Sequence, residues 1–78
     1  MISRTIENYL KAIFSLSEKG NSVVTTNSIA EKLNTKASSV TDMVKKLTIK
    51  KLVNHEKYKG VILTLKGKRL ATSIIRKH

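Results

Sequence analysis

The chain has 78 residues, of which 16 are Lys or Arg and five are Asp or Glu, so its formal net charge is +11 at pH 7. This length allows one domain with a small core, and the positive charge favours a polyanionic partner such as nucleic acid. These residues include no Cys for a disulfide or a thiolate metal site, and no apolar run approaches the roughly 18 residues of a membrane span.

The first predicted helix covers residues 5–17, where apolar side chains recur at helical spacing. These side chains are Ile6, Tyr9, Leu10, Ile13 and Leu16. Gly20 and Asn21 predict the end of this helix. Residues 22–25 are β-favouring and predict a short strand.

Two further helices follow at once. Thr26 is predicted to be the N-cap of a short helix that ends at Leu33 and has Ile29, Ala30 and Leu33 on its inner face. The third helix is predicted from Ala37 to about Lys50. Its inner stripe has the spacing i, i+3, i+4, i+7 and consists of Val40, Met43, Val44 and Leu47.

A hairpin and a last helix complete the order. Residues 52–57 and 61–63 are predicted strands, and the turn between them is residues 57–60, with Gly60 able to adopt a positive φ. Thr64 is predicted to cap the final helix. The apolar stripe of that helix is Leu65, Leu70, Ala71, Ile74 and Ile75.

This order predicts a mainly α domain with a small β-hairpin, the winged helix-turn-helix fold, over residues 1–78. The three aromatic side chains are too few for a platform that stacks single-stranded bases. Duplex DNA is therefore the favoured polyanion. The groove of A-form RNA would not admit the third helix.

The outer side of the third helix is the predicted reading surface. Opposite its apolar stripe lie Ser38, Ser39, Thr41, Asp42, Lys45 and Lys46. The Ser hydroxyls can donate and accept hydrogen bonds, and Asp42 either accepts from a cytosine amino group or pairs with a neighbouring lysine. Contacts to phosphates are expected from the start of the second helix, the turn and the wing tip. These residues are Thr26, Asn27, Lys36, Lys57, Tyr58 and Lys59, and the lysines around the third helix, Lys45, Lys46 and Lys50, are expected to add phosphate contacts.

Several segments resemble the diphtheria toxin repressor and manganese transport regulator family of metal-dependent repressors. The segments are residues 7–13, 29–33, 38–47, 52–53, 56–61, 63–64, 71–72 and 76–78. The resemblance implies a sequence-specific repressor that binds double-stranded DNA, with residues 36–39, which include Ala37, and Asp42 at the DNA surface. It also implies a dimerisation and metal-binding domain after residue 78, and a homodimer that reads a pseudo-palindromic operator.

The same resemblance implies Fe(II) or Mn(II) as cofactor in the full-length protein and none in this fragment. It places a metal ligand at His78 and a weak, neutral one at Asn8. Lys11 stands where manganese-type relatives have a Glu ligand, which speaks against their two-metal site. A metal-independent winged-helix regulator is the alternative, and a structural or surface role is expected for His55.

The residues show no catalytic constellation. There are two His, no carboxylate pair and no phosphate-cradling Gly-rich loop, so no enzymatic activity is expected. Nothing resembles a signal peptide, and we expect a cytoplasmic protein without membrane association. A winged helix used only for protein contacts is a third possibility, and it predicts little affinity for duplex DNA even at low salt.

Overall fold

Four helices and a two-stranded hairpin make up the described part of the computed structural model, which is residues 4–56 and 59–76. In chain order the elements are α1 (Arg4–Leu16), α2 (Thr26–Leu33), α3 (Ala37–Ile49), β1 (Val53–Glu56), β2 (Gly60–Leu63) and α4 (Leu65–Arg76). This architecture confirms the predicted fold class of a mainly α domain with a small hairpin.

The core lies where α1 crosses α2 and α4. Leu10 and Ile13 of α1, Ile29 of α2 and Leu47 of α3 are fully buried. Their spacing on each helix produces one apolar stripe per helix, and burial of these stripes drives the helices together. Met43, predicted on the inner stripe of α3, is only partly buried at the edge of this core.

The turn between α2 and α3 is three residues long. Asn34 ends α2 in the left-handed conformation (φ 53°), which Asn tolerates better than most residues. The N–H of Thr35 donates to the carbonyl of Ala30 at 2.9 Å. This turn sets α3 at an angle to α2, as in a helix-turn-helix.

The cap of α2 lies one residue earlier than the sequence predicted. Thr25, not Thr26, is the N-cap, and its hydroxyl accepts from the N–H of Ser28 at 3.1 Å. The same hydroxyl donates to the Ser28 hydroxyl at 2.8 Å. The prediction of Thr26 as the cap was wrong because two adjacent threonines satisfy the capping rule equally well.

A bridge holds the hairpin against the start of α2. Val24 and Val61 exchange two backbone hydrogen bonds, each 2.7 Å long, so the predicted strand at 22–25 is reduced to a single bridge. Gly60 (φ 129°) lies beside this bridge, and a Cβ there would overlap the Val24 carbonyl oxygen. The glycine therefore permits the close approach of the wing to α2.

Thr64 joins the hairpin, α3 and α4. Its hydroxyl accepts from the N–H of Gly67 at 3.0 Å, which confirms the predicted cap, and donates to the carbonyl of Lys51 at 2.7 Å. The apolar stripe of α4 is narrower than predicted, since Leu65 is 65% exposed and Ile75 is 41% exposed. Leu65 is the first residue of α4, and Ile75 follows Ile74, which is buried in the core.

Among the described residues, no helix has both the length and the apolar character needed to cross a membrane.

The assignment of the cap predicts different effects for two neighbouring substitutions. Thr25→Ala removes the hydroxyl that satisfies Ser28 N–H and should lower the free energy of unfolding by about 1 kcal/mol. Thr26→Ala is the matched control and should change it by less than about 0.5 kcal/mol. Urea unfolding followed by circular dichroism measures both, and equal losses would contradict the assignment.

Candidate nucleic-acid interface

The outer side of α3 is exposed along its whole length. Val40, Val44 and Leu47 are buried against the core. The opposite side bears polar side chains that are all exposed, namely Ser38, Ser39, Thr41, Asp42, Lys45 and Lys46. The fold therefore brings the predicted reading residues onto one helix face.

The N-terminus of α3 has no side-chain cap. Lys36 occupies the N-cap position without a side-chain hydrogen bond to the helix, while its carbonyl accepts from Ser39 and Val40. The first amides of a helix have no acceptor within it. Those of Ala37 and Ser38, on exposed residues, therefore suit an external anion.

A groove of about 580 Å³ separates α3 from the wing. Its lining comes from α2, α3 and β1, and consists of Thr26, Thr41, Val44, Lys45, Thr48, Ile49 and His55. The Val24–Val61 bridge produces this arrangement, because it fixes the wing next to the residues that begin α2. We call this groove, together with the outer side of α3, the reading surface.

Two threonines of the reading surface have their hydroxyl protons already engaged. Thr41 donates to the carbonyl of Ala37 at 3.1 Å, and Thr48 donates to the carbonyl of Val44 at 2.8 Å. The remaining lone pairs of each oxygen can only accept. These side chains therefore suit amino groups of bases, such as those of cytosine and adenine in the major groove.

Further residues of the predicted site lie in the reading surface or next to it. Thr26 is half-buried at the start of α2, and its hydroxyl is not needed for the cap that Thr25 provides. Asn27 and Lys36 are exposed, as is Lys59, whose N–H closes the hairpin turn onto the carbonyl of Glu56 at 3.1 Å. The predicted contacts of Lys57 and Tyr58 lie outside the described residues.

Four residues of the groove were absent from the predicted site, and one of them, Val44, was predicted on the inner stripe of α3. His55 was expected in a structural or surface role, and Thr48 and Ile49 were not singled out. His55 pairs with Val61 on the same face of the hairpin as Val53 and Leu63, so strand alternation placed it towards α3. Thr48 follows Thr41 and Lys45 at helical spacing, and that signal was also available in the sequence.

The implied metal position in α1 lacks the chemistry of a metal site. Asn8 lines a shallow pocket together with Lys11 and Lys32, whose positive charges oppose a divalent cation. Burial raises the pKa of the neighbouring Tyr9 phenol. No group of three or more His, Asp or Glu suited to a metal occurs within residues 4–56 and 59–76, and His78 lies outside them.

Comparison with known proteins identifies the family. Residues 1–61 match the family model described as iron dependent repressor, N-terminal DNA binding domain. The chain therefore belongs to the iron dependent repressor family.

Individual relatives show the same likeness over the whole chain. An uncharacterised HTH-type transcriptional regulator of Methanocaldococcus jannaschii, MJ0568, is 42% identical over 77 residues, which are 99% of this chain and 62% of that protein. The HTH-type transcriptional regulator MntR of Oceanobacillus iheyensis is 39% identical over 79 residues, which are 100% of this chain and 52% of that protein.

A solved structure agrees with the fold. The structure of the manganese regulator SloR superposes with a TM-score of 0.77 at 43% identity, over 99% of this chain and 35% of that chain. The chain therefore spans about half to three fifths of the curated relatives and about a third of this structural neighbour.

The reading surface predicts a position-dependent effect of removing single lysines. If Lys45 contacts a phosphate, as its position predicts, Lys45→Ala should weaken binding to all duplexes alike and reduce the slope of log K against log salt by about 1. Lys32→Ala, an exposed lysine of α2 outside the groove, is the matched control. Fluorescence anisotropy at several salt concentrations measures both. An equal reduction of the slope for Lys32 would assign the effect to net charge alone.

Proposed function

We propose that this member of the iron dependent repressor family is a transcriptional regulator that binds duplex DNA in a sequence-specific manner. The observation that carries the proposal is the outer side of α3, which is exposed and polar from Ser38 to Lys46 and lies beside the hairpin that contains Lys59. An α-helix fits the major groove of B-DNA, and in helix-turn-helix proteins the second helix enters it.

The N-terminal half of α3 reads the bases in this proposal. Ser38 and Ser39 have short side chains that allow a close approach, and their hydroxyls adapt to any base edge. Thr41 and Asp42 accept from base amino groups, Asp42 being suited to the N4 amino group of cytosine. These four residues lie at the end of the helix that enters the groove in this motif.

A ring of phosphate contacts holds the domain in register. Thr26 and Asn27 approach one phosphate with the first amides of α2, and Lys36 lies at the uncapped start of α3. The positive charges of the wing and of α3 attract the phosphates of the two DNA strands in this proposal; they belong to Lys45, Lys46 and Lys59. Lys57 and Tyr58 belong to the same contact set on the basis of the sequence.

The assembled regulator is proposed to be a homodimer in the cytoplasm. Two copies related by a two-fold axis present two α3 helices to successive major grooves, about 34 Å apart, so that the operator is a pseudo-palindrome. The domain itself has a net charge of +11, and the like charges of two copies repel. The dimer contacts are therefore assigned to the part of the protein after residue 78.

The metal response is proposed for the full-length protein only. SloR is a manganese regulator, and Fe(II) or Mn(II) is the corresponding cofactor proposed here. The described residues do not fit a metal by themselves, because Asn8 offers one neutral oxygen beside two lysines. We therefore assign the other ligands to His78 and to residues beyond it, and assign no step of DNA binding in this domain to the metal.

The reader role of Asp42 predicts a change in preference rather than in overall affinity. Asp42→Ala should relax selection at one base pair of the operator, by about 1–3 kcal/mol of discrimination, while binding to scrambled duplexes stays the same or increases. Selection from a random duplex library, followed by titrations on matched and scrambled sequences, measures this. Glu31→Ala removes an exposed carboxylate of α2 and is the control. If both variants select the wild-type operator with unchanged discrimination, Asp42 does not read a base.

The metal assignment predicts a difference between the domain and the full-length protein. Mn(II) should leave the melting temperature of residues 1–78 unchanged, because a ligand stabilises a fold only by binding to it. The full-length protein should be stabilised by Mn(II) and should bind its operator more tightly. Thermal unfolding with and without Mn(II), with Mg(II) as the control ion, tests both halves. Stabilisation of the 78-residue chain by Mn(II) alone would overturn the assignment.

A further inference from the structure

A second groove, of about 640 Å³, lies between α4 and the turn that follows α1. We call it the basic cleft. It is lined by Phe14, Lys19, Lys68, Arg69, Thr72, Ser73 and Arg76. It shares no residue with the reading surface, whose lining comes from α2, α3 and β1.

The charge of the basic cleft has one sign. Four of its lining residues are cations and none is a carboxylate. Glu18 is exposed in the turn next to Lys19, and it is not part of the lining. Four positive charges held this close together favour an anionic occupant.

The turn that forms one wall is held in an unfavourable backbone conformation. Glu18 (φ 52°) and Lys19 (φ 64°) both have positive φ, which costs free energy for residues with a Cβ. The buried Ser17 maintains this turn, since its hydroxyl donates to the carbonyl of Phe14 at 3.2 Å and accepts from the N–H of Gly20 at 3.0 Å. The turn therefore places Lys19 on the wall of the cleft, although the positive φ of Lys19 is unfavourable for a residue with a Cβ.

The opposite wall is anchored to the same turn. The aliphatic stem of Lys68 lies over Gly20, where an added Cβ would meet its Cγ and Cε at 2.8 Å. The hydroxyl of Thr72 donates to the carbonyl of Lys68 at 2.8 Å. Lys68 is half-buried, and its side chain is held by packing against Gly20.

The floor of the basic cleft is apolar, and its outer rim is cationic. Phe14 is partly buried against the core and presents the rest of its ring to the cleft. Arg69, Ser73 and Arg76 are exposed along one face of α4, at spacings of four and three residues. The two arginines are therefore about 10 Å apart along the helix axis.

We propose that the basic cleft docks an acidic amphipathic segment of another protein, independently of DNA binding. An apolar side chain of that segment packs on Phe14, and its carboxylates pair with Lys19, Arg69 and Arg76. Amphipathic helices bind apolar grooves in this way, with anchors at i, i+3 or i+4, and arginine pairs with carboxylates through two parallel hydrogen bonds.

Two other occupants fit the cleft less well. A second copy of this domain has a net charge of +11 and only five acidic residues, so its overall charge opposes docking into a cationic cleft. A DNA backbone offers no apolar side chain for the ring of Phe14, and the Thr72 hydroxyl proton is already used by Lys68. The combination of an apolar floor with cationic walls is what favours a protein segment.

The test uses a defined probe and a charge-matched pair of variants. The probe is a fluorescent peptide of about four helical turns with Glu on one face and Leu on the other, and a shuffled peptide of equal composition is its control. Arg69→Glu with Arg76→Glu alters the cleft. Arg4→Glu with Lys32→Glu changes the net charge by the same amount at exposed positions outside it.

The expected result is that the chain binds the amphipathic peptide at least about tenfold more tightly than the shuffled one, and that the cleft pair removes this difference. The control pair should retain the difference. Circular dichroism and the melting temperature establish that each variant is folded. If the cleft pair does not fold, Arg69→Gln with Arg76→Gln replaces it. Phe14→Leu should weaken the binding of the amphipathic peptide and leave the binding of the shuffled peptide unchanged.

Three outcomes would overturn the proposal. They are equal affinity for the two peptides, equal losses for the cleft pair and the control pair, and a loss of duplex affinity in the cleft pair well beyond that of the control pair. The last outcome would assign the cleft to DNA. A failure of DNA binding by α3 appears instead in the Lys45 and Asp42 variants, so the two proposals fail separately.

Discussion

The two hydrogen bonds between Val24 and Val61 are the constraint on which the proposed DNA-binding side depends. They join residues that precede α2 to the returning strand of the wing, across 37 positions of chain. Because Gly60 lets the two backbones approach, the wing lies next to the N-terminus of α2. This contact helps to hold the wing in the position where Lys45 of α3 and His55 of β1 line one groove.

The distribution of charge follows from the same packing. Each helix buries one apolar stripe, so its cations are left on the outer sides, and the fold places several of them on two separate surfaces. One is the reading surface, which is polar along α3 and has lysines at its edges. The other is the basic cleft, which combines an aromatic floor with arginines. The net charge of +11 describes the chain as a whole and does not say where the charges lie. The residues that line each groove distinguish the two surfaces.

Much of the fold was predictable because it follows from local rules. The stripe of α3, the cap at Thr64 and the glycine in the hairpin turn are properties of short segments, and the structure confirms them. The exposed side chains of α3, such as Ser38, Asp42 and Lys46, were predictable for the same reason, since a helix that buries one face exposes the other. Strand alternation also made the place of His55 in the groove predictable, although the sequence analysis did not use it. Two features were not predictable from local rules, the cap at Thr25 and the exposure of Leu65 and Ile75, because each depends on which neighbour is packed nearby.

The sequence alone determined the order of the elements, the outward face of α3 and the sign of the charge, because helical periodicity and side-chain chemistry are local. Only the tertiary structure decided which threonine caps α2, how far the wing stands from α3, and that Lys19 and Arg76 line one cleft. These features arise from contacts between residues far apart in the chain, such as Val24 with Val61 and Gly20 with Lys68. No short stretch of sequence contains both partners of such a contact, so its geometry appears only when the core has formed.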